Sequence, residues 1–130
     1  MKQFKFDAIK YRNTQNGTLE LYFRDSESNR ILYFEGGGSF RLIENDQAPG
    51  YENARDYNGP AFNEITGIRE TGDYDYIFQM NQDVFAKVFY LPNDEYGNGV
   101  QQVLMVYQSQ DRHYKDIERD FLENSKEVSF

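Results

Sequence analysis

Apolar and polar residues alternate along much of this chain with the two-residue period of a β-strand. Leu19, Leu21 and Phe23 fall on one face of such a strand, and the residues between them are charged or carry a hydroxyl group. The same alternation recurs in residues 4–8 and in residues 74–80. Because successive side chains of a strand point to opposite faces of a sheet, this pattern predicts a fold dominated by β-structure.

Turn signals separate the predicted strands. Asn16-Gly17 predicts a tight hairpin, because both residues tolerate the positive φ angles that such a turn requires. Gly36-Gly37-Gly38 lies between two strand-like stretches, so it indicates a hairpin connection or a bulge rather than a phosphate-binding loop, which needs a following helix. Residues 44–61 contain several Pro and Gly residues and have no periodicity. They predict a long loop, and long loops in small domains tend to be functional or disordered.

The last third of the chain changes character twice. Residues 84–91 and 100–107 are apolar at nearly every position, which is typical of central strands covered on both faces. After Gln108 the apolar residues follow a helical period, which predicts one amphipathic C-terminal helix capped by Ser109 or Asp111. Its apolar stripe consists of Tyr114, Ile117, Phe121 and Val128, with Leu122 alongside.

These patterns predict a mainly β, β-rich α+β fold. The expected architecture is a strongly curled antiparallel sheet or small barrel of seven or eight strands, with one C-terminal helix packed on it. A two-layer α+β sheet is the alternative. The length of 130 residues predicts a single domain over residues 1–130. Eleven Phe and eleven Tyr residues can supply its core.

Composition excludes several classes of function. The chain has no Cys, so disulfides, zinc–thiolate sites and cysteine nucleophiles are excluded. Its pI near 4.6 argues against direct binding of nucleic acid, which requires cations facing phosphates. The N-terminal residues lack the apolar run of a secretory signal, and no stretch has the composition of a membrane-spanning segment. We therefore expect a cytoplasmic protein that does not contact a membrane.

The excess of acidic residues is local. Residues 44–75 hold eight carboxylates and only two cations, whereas residues 1–43 carry a net charge of +2. Tyrosines lie among these acids, and rigid aromatic side chains beside charges are typical of binding surfaces. The interpretation as a solvated loop remains open. As a partner-binding surface, the candidate residues are Glu44, Asp46, Tyr51, Glu52, Asp56, Tyr57, Asp73 and Asp75.

Catalytic and metal-binding residues are not indicated. The single histidine, His113, lies at the start of a charged helix and is expected to be a solvated surface residue. The acids of residues 93–98 lack the ligand spacing of a calcium loop. Carboxylate pairs such as Asp73 and Asp75 could in principle hydrolyse glycosides, but their separation decides that chemistry. We expect no enzyme activity, no metal and no cofactor.

The charge pattern predicts a non-catalytic acidic protein that binds and inhibits a basic protein partner. Surface carboxylates can imitate the phosphates of nucleic acid, so a nuclease or another nucleic-acid-binding protein is the expected target, as for phage anti-defence or toxin-immunity proteins. The alternative hypothesis is a small β-barrel carrier whose aromatic interior binds an apolar or aromatic ligand. An exposed edge strand could also join two copies in a homodimer.

Overall fold

Two antiparallel sheets face each other in the computed structural model, which describes residues 3–48, 50–58, 63–72, 74–81, 83–91 and 101–129. The first sheet, here the N-terminal sheet, has the strand order β5-β4-β3-β2-β6. Its strands are β2 (Ala8–Asn13), β3 (Leu19–Asp25), β4 (Arg30–Glu35), β5 (Ser39–Glu44) and β6 (Arg55–Asp56). Between β5 and β6 the chain forms two short 3₁₀ helices, Asn45–Gln47 and Tyr51–Asn53.

The second sheet, here the C-terminal sheet, has the order β1-β7-β8-β9-β10, and a short strand β11 also pairs with β7. Its strands are β1 (Phe4–Lys5), β7 (Glu64–Gly72), β8 (Asp75–Met80), β9 (Val84–Leu91), β10 (Gln101–Gln108) and β11 (Lys126–Glu127). The helix α1 (Tyr114–Glu123) packs on the outer face of this sheet. The mainly β character and the single C-terminal helix are therefore confirmed.

Aromatic side chains fill the space between the two sheets. Phe23 and Phe34 of the N-terminal sheet meet Phe78 of the C-terminal sheet at centroid distances of 6.0 and 5.6 Å. All three rings are fully buried, and the inward faces of β3, β4, β8 and β9 surround them. Each ring removes on the order of 150–250 Å² from water, so this layer is the main hydrophobic core.

The prediction of a strongly curled or closed sheet is wrong. Eleven strands occur in the described residues, three of them only two residues long, and they form two separate sheets. The chain leaves β5 at one edge of the N-terminal sheet, crosses its outer face and returns as β6 at the opposite edge. Among the described strands neither β6 nor β10 pairs with a strand of the other sheet, so the two described sheets do not close on this side of the sandwich.

Several local predictions also need correction. The alternating residues 4–8 are not one strand, because the chain passes from β1 in one sheet to β2 in the other. Residues 44–61 are not only a loop, since they include β6. The strand β10 is an edge strand and not a central one. Neither predicted cap acts on α1, whose N-cap is His113 without a side-chain hydrogen bond. The carboxylate of Asp111 instead accepts the backbone N–H of Gln108 at 2.7 Å.

A buried glutamine connects the two sheets near the open side. The Oε1 atom of Gln102 accepts the backbone N–H of Leu19 at 2.8 Å, and its Nε2 atom donates to the carbonyl oxygens of Gly36 and Tyr74. A Cβ atom on Gly36 would lie 1.8 Å from Oε1 of Gln102, so glycine is required there. The predicted Gly36–Gly38 hairpin connection is confirmed, and its first glycine also makes room for this contact.

Candidate functional site

The described residues of the acidic segment 45–54, which are 45–48 and 50–54, lie on the outer face of the N-terminal sheet. Tyr51 packs edge-on against Tyr22 of β3 with a centroid distance of 5.8 Å, and the Nζ atom of Lys10 lies 4.7 Å from the Tyr51 ring. Ala48 and Ala54 pack against the same buried cluster. The segment is therefore an ordered cover on the sheet, and Tyr51 is an anchor that fastens it.

A buried carboxylate lies beneath this cover. Glu20 is only 3% exposed, and its Oε1 atom accepts hydrogen bonds from Nε and Nη2 of Arg12 at 3.0 and 2.5 Å. Its Oε2 atom accepts hydrogen bonds from the hydroxyl groups of Tyr22 and Tyr33. Gly50 covers this group closely, since a Cβ atom there would lie 2.7 Å from Nη1 of Arg12. Four donors thus satisfy a charge that burial would otherwise make unfavourable.

The surroundings of Glu20 change the ionisation of its partners. Burial raises the pKa of Tyr22 and of Tyr33 well above the usual value of 10.0, and the nearby carboxylate of Glu20 raises both further. The pKa of Arg12 is also raised, mainly because its guanidinium group donates hydrogen bonds to Glu20. Both tyrosines therefore remain neutral donors, and Arg12 remains charged, throughout the physiological range.

The candidate residues of the acidic segment do not form one isolated acidic patch. The carboxylates of Asp46 and Glu52 are exposed on the two 3₁₀ helices, while Glu44 lies 3.6 Å from Arg30 in an exposed ion pair. Cations of the first strands lie on the same sheet, and residues 1–58 as a whole carry a net charge of only −1. The remaining −7 belongs to residues 59–130, which include the helix and every strand of the C-terminal sheet except β1.

The other predicted residues fall in two further places. Asp75 begins β8 and so belongs to the opposite sheet, and Asp73 lies outside the described residues. Asp56 and Tyr57 lie at the edge of the N-terminal sheet, where the backbone N–H of Tyr57 donates to the carbonyl of Ile9 at 3.0 Å. The structure therefore brings Asp56 and Tyr57 together at an edge, and it separates them from Asp75.

A cleft of about 470 Å³ opens at this edge, between β10 of one sheet and β2 and β6 of the other. Its floor includes the buried Leu19, and the aromatic side chains of Tyr11 and Tyr57 contribute to its walls. Burial raises the pKa of Tyr57, so this hydroxyl stays neutral. The polar side chains of the described lining are Asn13, Asp56, Asn58, Gln101 and Gln102. Among them Asp56 alone carries a charge.

A smaller cavity of about 260 Å³ adjoins this cleft and shares Tyr11 and Asn13 with it. Its other lining residues are Arg12, Asn53 and Arg55. The two arginines give this cavity a character opposite to that of the cleft, although the carboxylate of Glu20 offsets the charge of Arg12. The edge of the N-terminal sheet therefore presents an acidic side chain and basic side chains close to each other.

The described residues contain no arrangement typical of catalysis or metal binding. His113 is 63% exposed, and its Nδ1 atom lies 3.7 Å from an equally exposed Asp116. In the part of the chain that the structure covers, no three His, Asp or Glu side chains are placed to hold a metal ion. The acids Asp94 and Glu95 lie outside the described residues. None of the described helices is long and apolar enough to cross a membrane.

Sequence reasoning did not identify Glu20 or Gln102. Both are polar residues within strands, and Glu20 was assigned to the polar face of β3 on alternation alone. The available signal was the composition of the neighbouring strand, because Tyr33 and Ile31 give the outer face of the N-terminal sheet an aromatic and apolar character. A face of that kind needs a cover, and a carboxylate under a cover needs donors.

No protein-family model matches this sequence, and no curated protein or solved structure is significantly similar to it.

Proposed function

We propose that this protein is a non-catalytic binding protein that engages a basic segment of a protein partner at the cleft between β10 and the β2–β6 edge. One observation supports this proposal most strongly. The cleft is an open cavity of about 470 Å³ whose described lining carries a single charge, that of Asp56. A carboxylate beside aromatic walls favours a Lys or Arg side chain, whose aliphatic stem packs on rings while its charged end pairs with the acid.

The carboxamide side chains of the cleft add binding groups for the backbone of a basic peptide. Asn13, Asn58 and Gln101 offer both donors and acceptors, so they can bind the backbone of an inserted loop as well as a cationic side chain. Tyr11 and Tyr57 provide contact area at little entropic cost, as rigid aromatic residues do at binding surfaces. The cleft thus fits an extended basic peptide better than a compact apolar ligand.

The acids outside the cleft have a different role in this proposal. Asp46 and Glu52 are exposed on the segment that crosses the outer face of the N-terminal sheet, and the net charge of −8 attracts a basic partner over a distance of about 10 Å at moderate salt. These charges speed association, whereas Asp56 contributes to the bound complex. If the basic segment belongs to a nucleic-acid groove, occupying it inhibits the partner, as expected for an immunity or anti-defence protein.

Charge reversal at Asp56 tests the proposal. The protein is used to capture partners from cell lysate at low salt, the captured protein is identified and purified, and dissociation constants are measured for variants. Asp56→Lys should weaken binding about 10-fold, because an exposed pair contributes up to about 1 kcal/mol and the new cation adds repulsion.

Glu27→Lys is the matched control, since it makes the same change of charge in the exposed turn after β3. It should reduce association only slightly and in a salt-dependent way. Equal affinities of the Asp56 and Glu27 variants would contradict the assignment of the cleft.

A small-ligand carrier is the second candidate function, and the aromatic walls of the same cleft favour it. If the protein is a carrier, its ligand is a ring-shaped molecule that packs against Tyr11 and Tyr57, and not a peptide. Native mass spectrometry of freshly purified protein distinguishes the two functions. A small molecule retained by the wild-type protein and lost from Tyr57→Ala would favour the carrier.

A further inference from the structure

The strand β10 is an edge strand, and over its middle residues 104–106 the described part of the chain provides none of the usual protection against pairing. It lies at the end of the C-terminal sheet and runs for eight residues from Gln101 to Gln108. None of these eight residues is charged, and none is Pro. Natural edge strands are commonly protected by Lys, Pro, a bulge or a covering segment, because their free backbone groups attract other strands.

The direction of the free backbone groups follows from two contacts. The backbone N–H of Gln102 donates to the carbonyl of Gly17 at 2.8 Å, so the backbone N–H and C=O of Gln102 point away from β9. The N–H of Gln108 donates to Asp111, and its carbonyl accepts the N–H of Asp111 at 2.8 Å. Because alternate residues of an antiparallel strand point the same way, Leu104 and Val106 also point away from β9. No described residue bonds to these two positions at the edge.

The outer face beside this open edge is apolar and only partly covered. Helix α1 covers Ile77 and Phe85 but does not extend over Met105, which is 46% exposed. Leu91 is 45% exposed on the same face, and Val103 and Phe89 are half-buried there. A partner strand at this edge would therefore gain main-chain hydrogen bonds and cover apolar surface together.

We propose that a second copy of this chain binds here, with β10 of the two copies pairing antiparallel about a two-fold axis at Met105. In this register Leu104 of each copy lies opposite Val106 of the other. Each such pair exchanges two N–H···O bonds, so the two pairs satisfy the N–H and C=O groups of Leu104 and Val106. The two Met105 side chains then meet at the axis, where opposite residues on one face are closest.

Two observations favour a second copy over another protein. The two open positions, Leu104 and Val106, are symmetric about Met105. On one side of them Gly17 accepts the N–H of Gln102, and on the other side Asp111 binds both the N–H and the C=O of Gln108. A two-fold axis needs this kind of self-complementary edge.

The second observation is the absence of like charges at the seam. The chain carries a net charge of −8, and two copies repel each other through most surfaces. The strand β10 has no carboxylate, and the residue opposite Met105 on β9 is Lys87. Two acidic molecules can therefore approach each other at β10 without placing carboxylates against carboxylates.

The mass of the purified chain measured by sedimentation over a range of concentrations tests this inference. The wild-type protein should form a reversible dimer, and Met105→Lys should raise the dimer dissociation constant at least about 10-fold, because it places two ammonium groups at the axis. Leu122→Lys is the matched control, since Leu122 is 68% exposed on the helix, and it should leave the dimer unchanged. A wild-type protein that is monomeric at all concentrations would overturn the inference, as would equal effects of the two variants.

Amide hydrogen exchange of the wild-type protein provides a second measurement that does not depend on any variant. Exchange at Leu104 and Val106 should slow as concentration rises, whereas exchange at Gln102 and Gln108, which already donate hydrogen bonds, should not change. If the exchange rates of other amides depended on concentration and those of Leu104 and Val106 did not, the interface would lie elsewhere and the inference would be wrong. No basic partner is present in either experiment, so the result tests the dimer alone. Leu104 also lines the cleft of the proposed function, so a second copy and a basic partner would compete for this edge.

Discussion

The outer faces of the two sheets are covered in different ways. Helix α1 covers the C-terminal sheet with three buried side chains of its own, Tyr114, Ile117 and Phe121. The segment of residues 45–54, with its two short 3₁₀ helices, covers the N-terminal sheet, and among its described residues Ala48, Tyr51 and Ala54 pack on the buried cluster. The helix therefore contributes apolar contacts directly, whereas the segment lies over a hydrogen-bonded carboxylate.

This difference has a physical cause. A helix satisfies its own backbone groups, so its apolar stripe can pack on a sheet without further partners. The segment of residues 45–54 has only short 3₁₀ helices, so several of its backbone groups lack partners within the segment and few of its side chains are apolar. It therefore needs specific partners on the sheet beneath it. Glu20, held by Arg12 and two tyrosines, provides a fixed polar base for that cover. We expect α1 to leave its sheet only when the whole protein unfolds. We expect residues 45–54 to detach in local openings while the rest of the protein stays folded.

Removing the buried ring of Phe121 from α1 should have the largest effect on stability. Phe121 packs against Phe85 at a centroid distance of 5.3 Å and is 7% exposed. Phe121→Ala should lower the free energy of unfolding by about 3–4 kcal/mol, since it removes a buried ring and leaves a cavity. Urea denaturation measures this change. Leu122→Ala, at an exposed neighbouring position, should change stability by less than about 0.5 kcal/mol. Similar losses for both variants would mean that the helix is not held by its apolar stripe.

Neutralising the buried carboxylate should have the next largest effect. Glu20→Gln removes the charge that accepts hydrogen bonds from Arg12 and the two tyrosines, and it should cost about 2–3 kcal/mol. The loss is limited because Arg12 is 42% exposed and can be hydrated. Thermal and urea unfolding measure it, and Glu35→Gln on the neighbouring strand is the control. A variant as stable as the control would show that the network does not hold the cover.

Removing the anchor of the cover should have a smaller and more local effect. Tyr51→Ala loses the contacts with Tyr22 and Lys10, and it should cost about 1 kcal/mol of global stability. The backbone N–H of Ala54, which donates to the carbonyl of Tyr51, should exchange faster, while amides of α1 should not. Glu52→Ala is the control at an exposed neighbouring position. Equal acceleration of exchange in the helix would contradict the distinction between a local and a global cover.

Alkaline pH should affect the N-terminal face and leave stability at neutral pH unchanged. The pKa values of Tyr22 and Tyr33 are raised in the folded protein, so folding favours their neutral forms. Their contribution to stability is complete below a pH of about 10, the pKa in the unfolded chain, and it is lost as the pH rises above that value. Unfolding free energies measured between neutral and alkaline pH should show this decline. Tyr33→Phe should reduce its slope, and an unchanged slope would assign the decline to other groups.

Most individual elements were predictable from local patterns. The hairpin occurs at Asn16-Gly17, but only Gly17 has a positive φ, of 84°, so the two-residue turn with positive φ at both positions is wrong. The connection spans residues 14–18, and the N–H of Thr14 donates to the carbonyl of Thr18. The face of α1 that carries Tyr114, Ile117 and Phe121 is buried as its period predicted, but Val128 of the predicted stripe lies beyond the helix, where its N–H donates to the carbonyl of Ile68. Both depend on residues close in sequence, so the alternation and the turn chemistry were sufficient.

The candidate site was predictable only in part. Asp56 and Tyr57 were among the predicted residues and line the cleft, but its opposite wall comes from β10, which was assigned to the centre of the sheet. The apolar run of β10 was misleading because an edge strand beside an uncovered face has the same composition as a central strand. Asp75 was grouped with Asp56 by sequence distance alone, and the two lie in different sheets.

The sequence by itself determined where strands, hairpins and the helix lie, because those depend on the period of neighbouring side chains. Only the tertiary structure decided which strand joins which sheet, and therefore that the sandwich stays open between β6 and β10. The contact between Gln102 and Leu19 joins residues 83 positions apart, and Glu20 becomes a buried group only when residues 45–54 fold over it. Such contacts depend on the energies of non-local pairing, which no local pattern encodes.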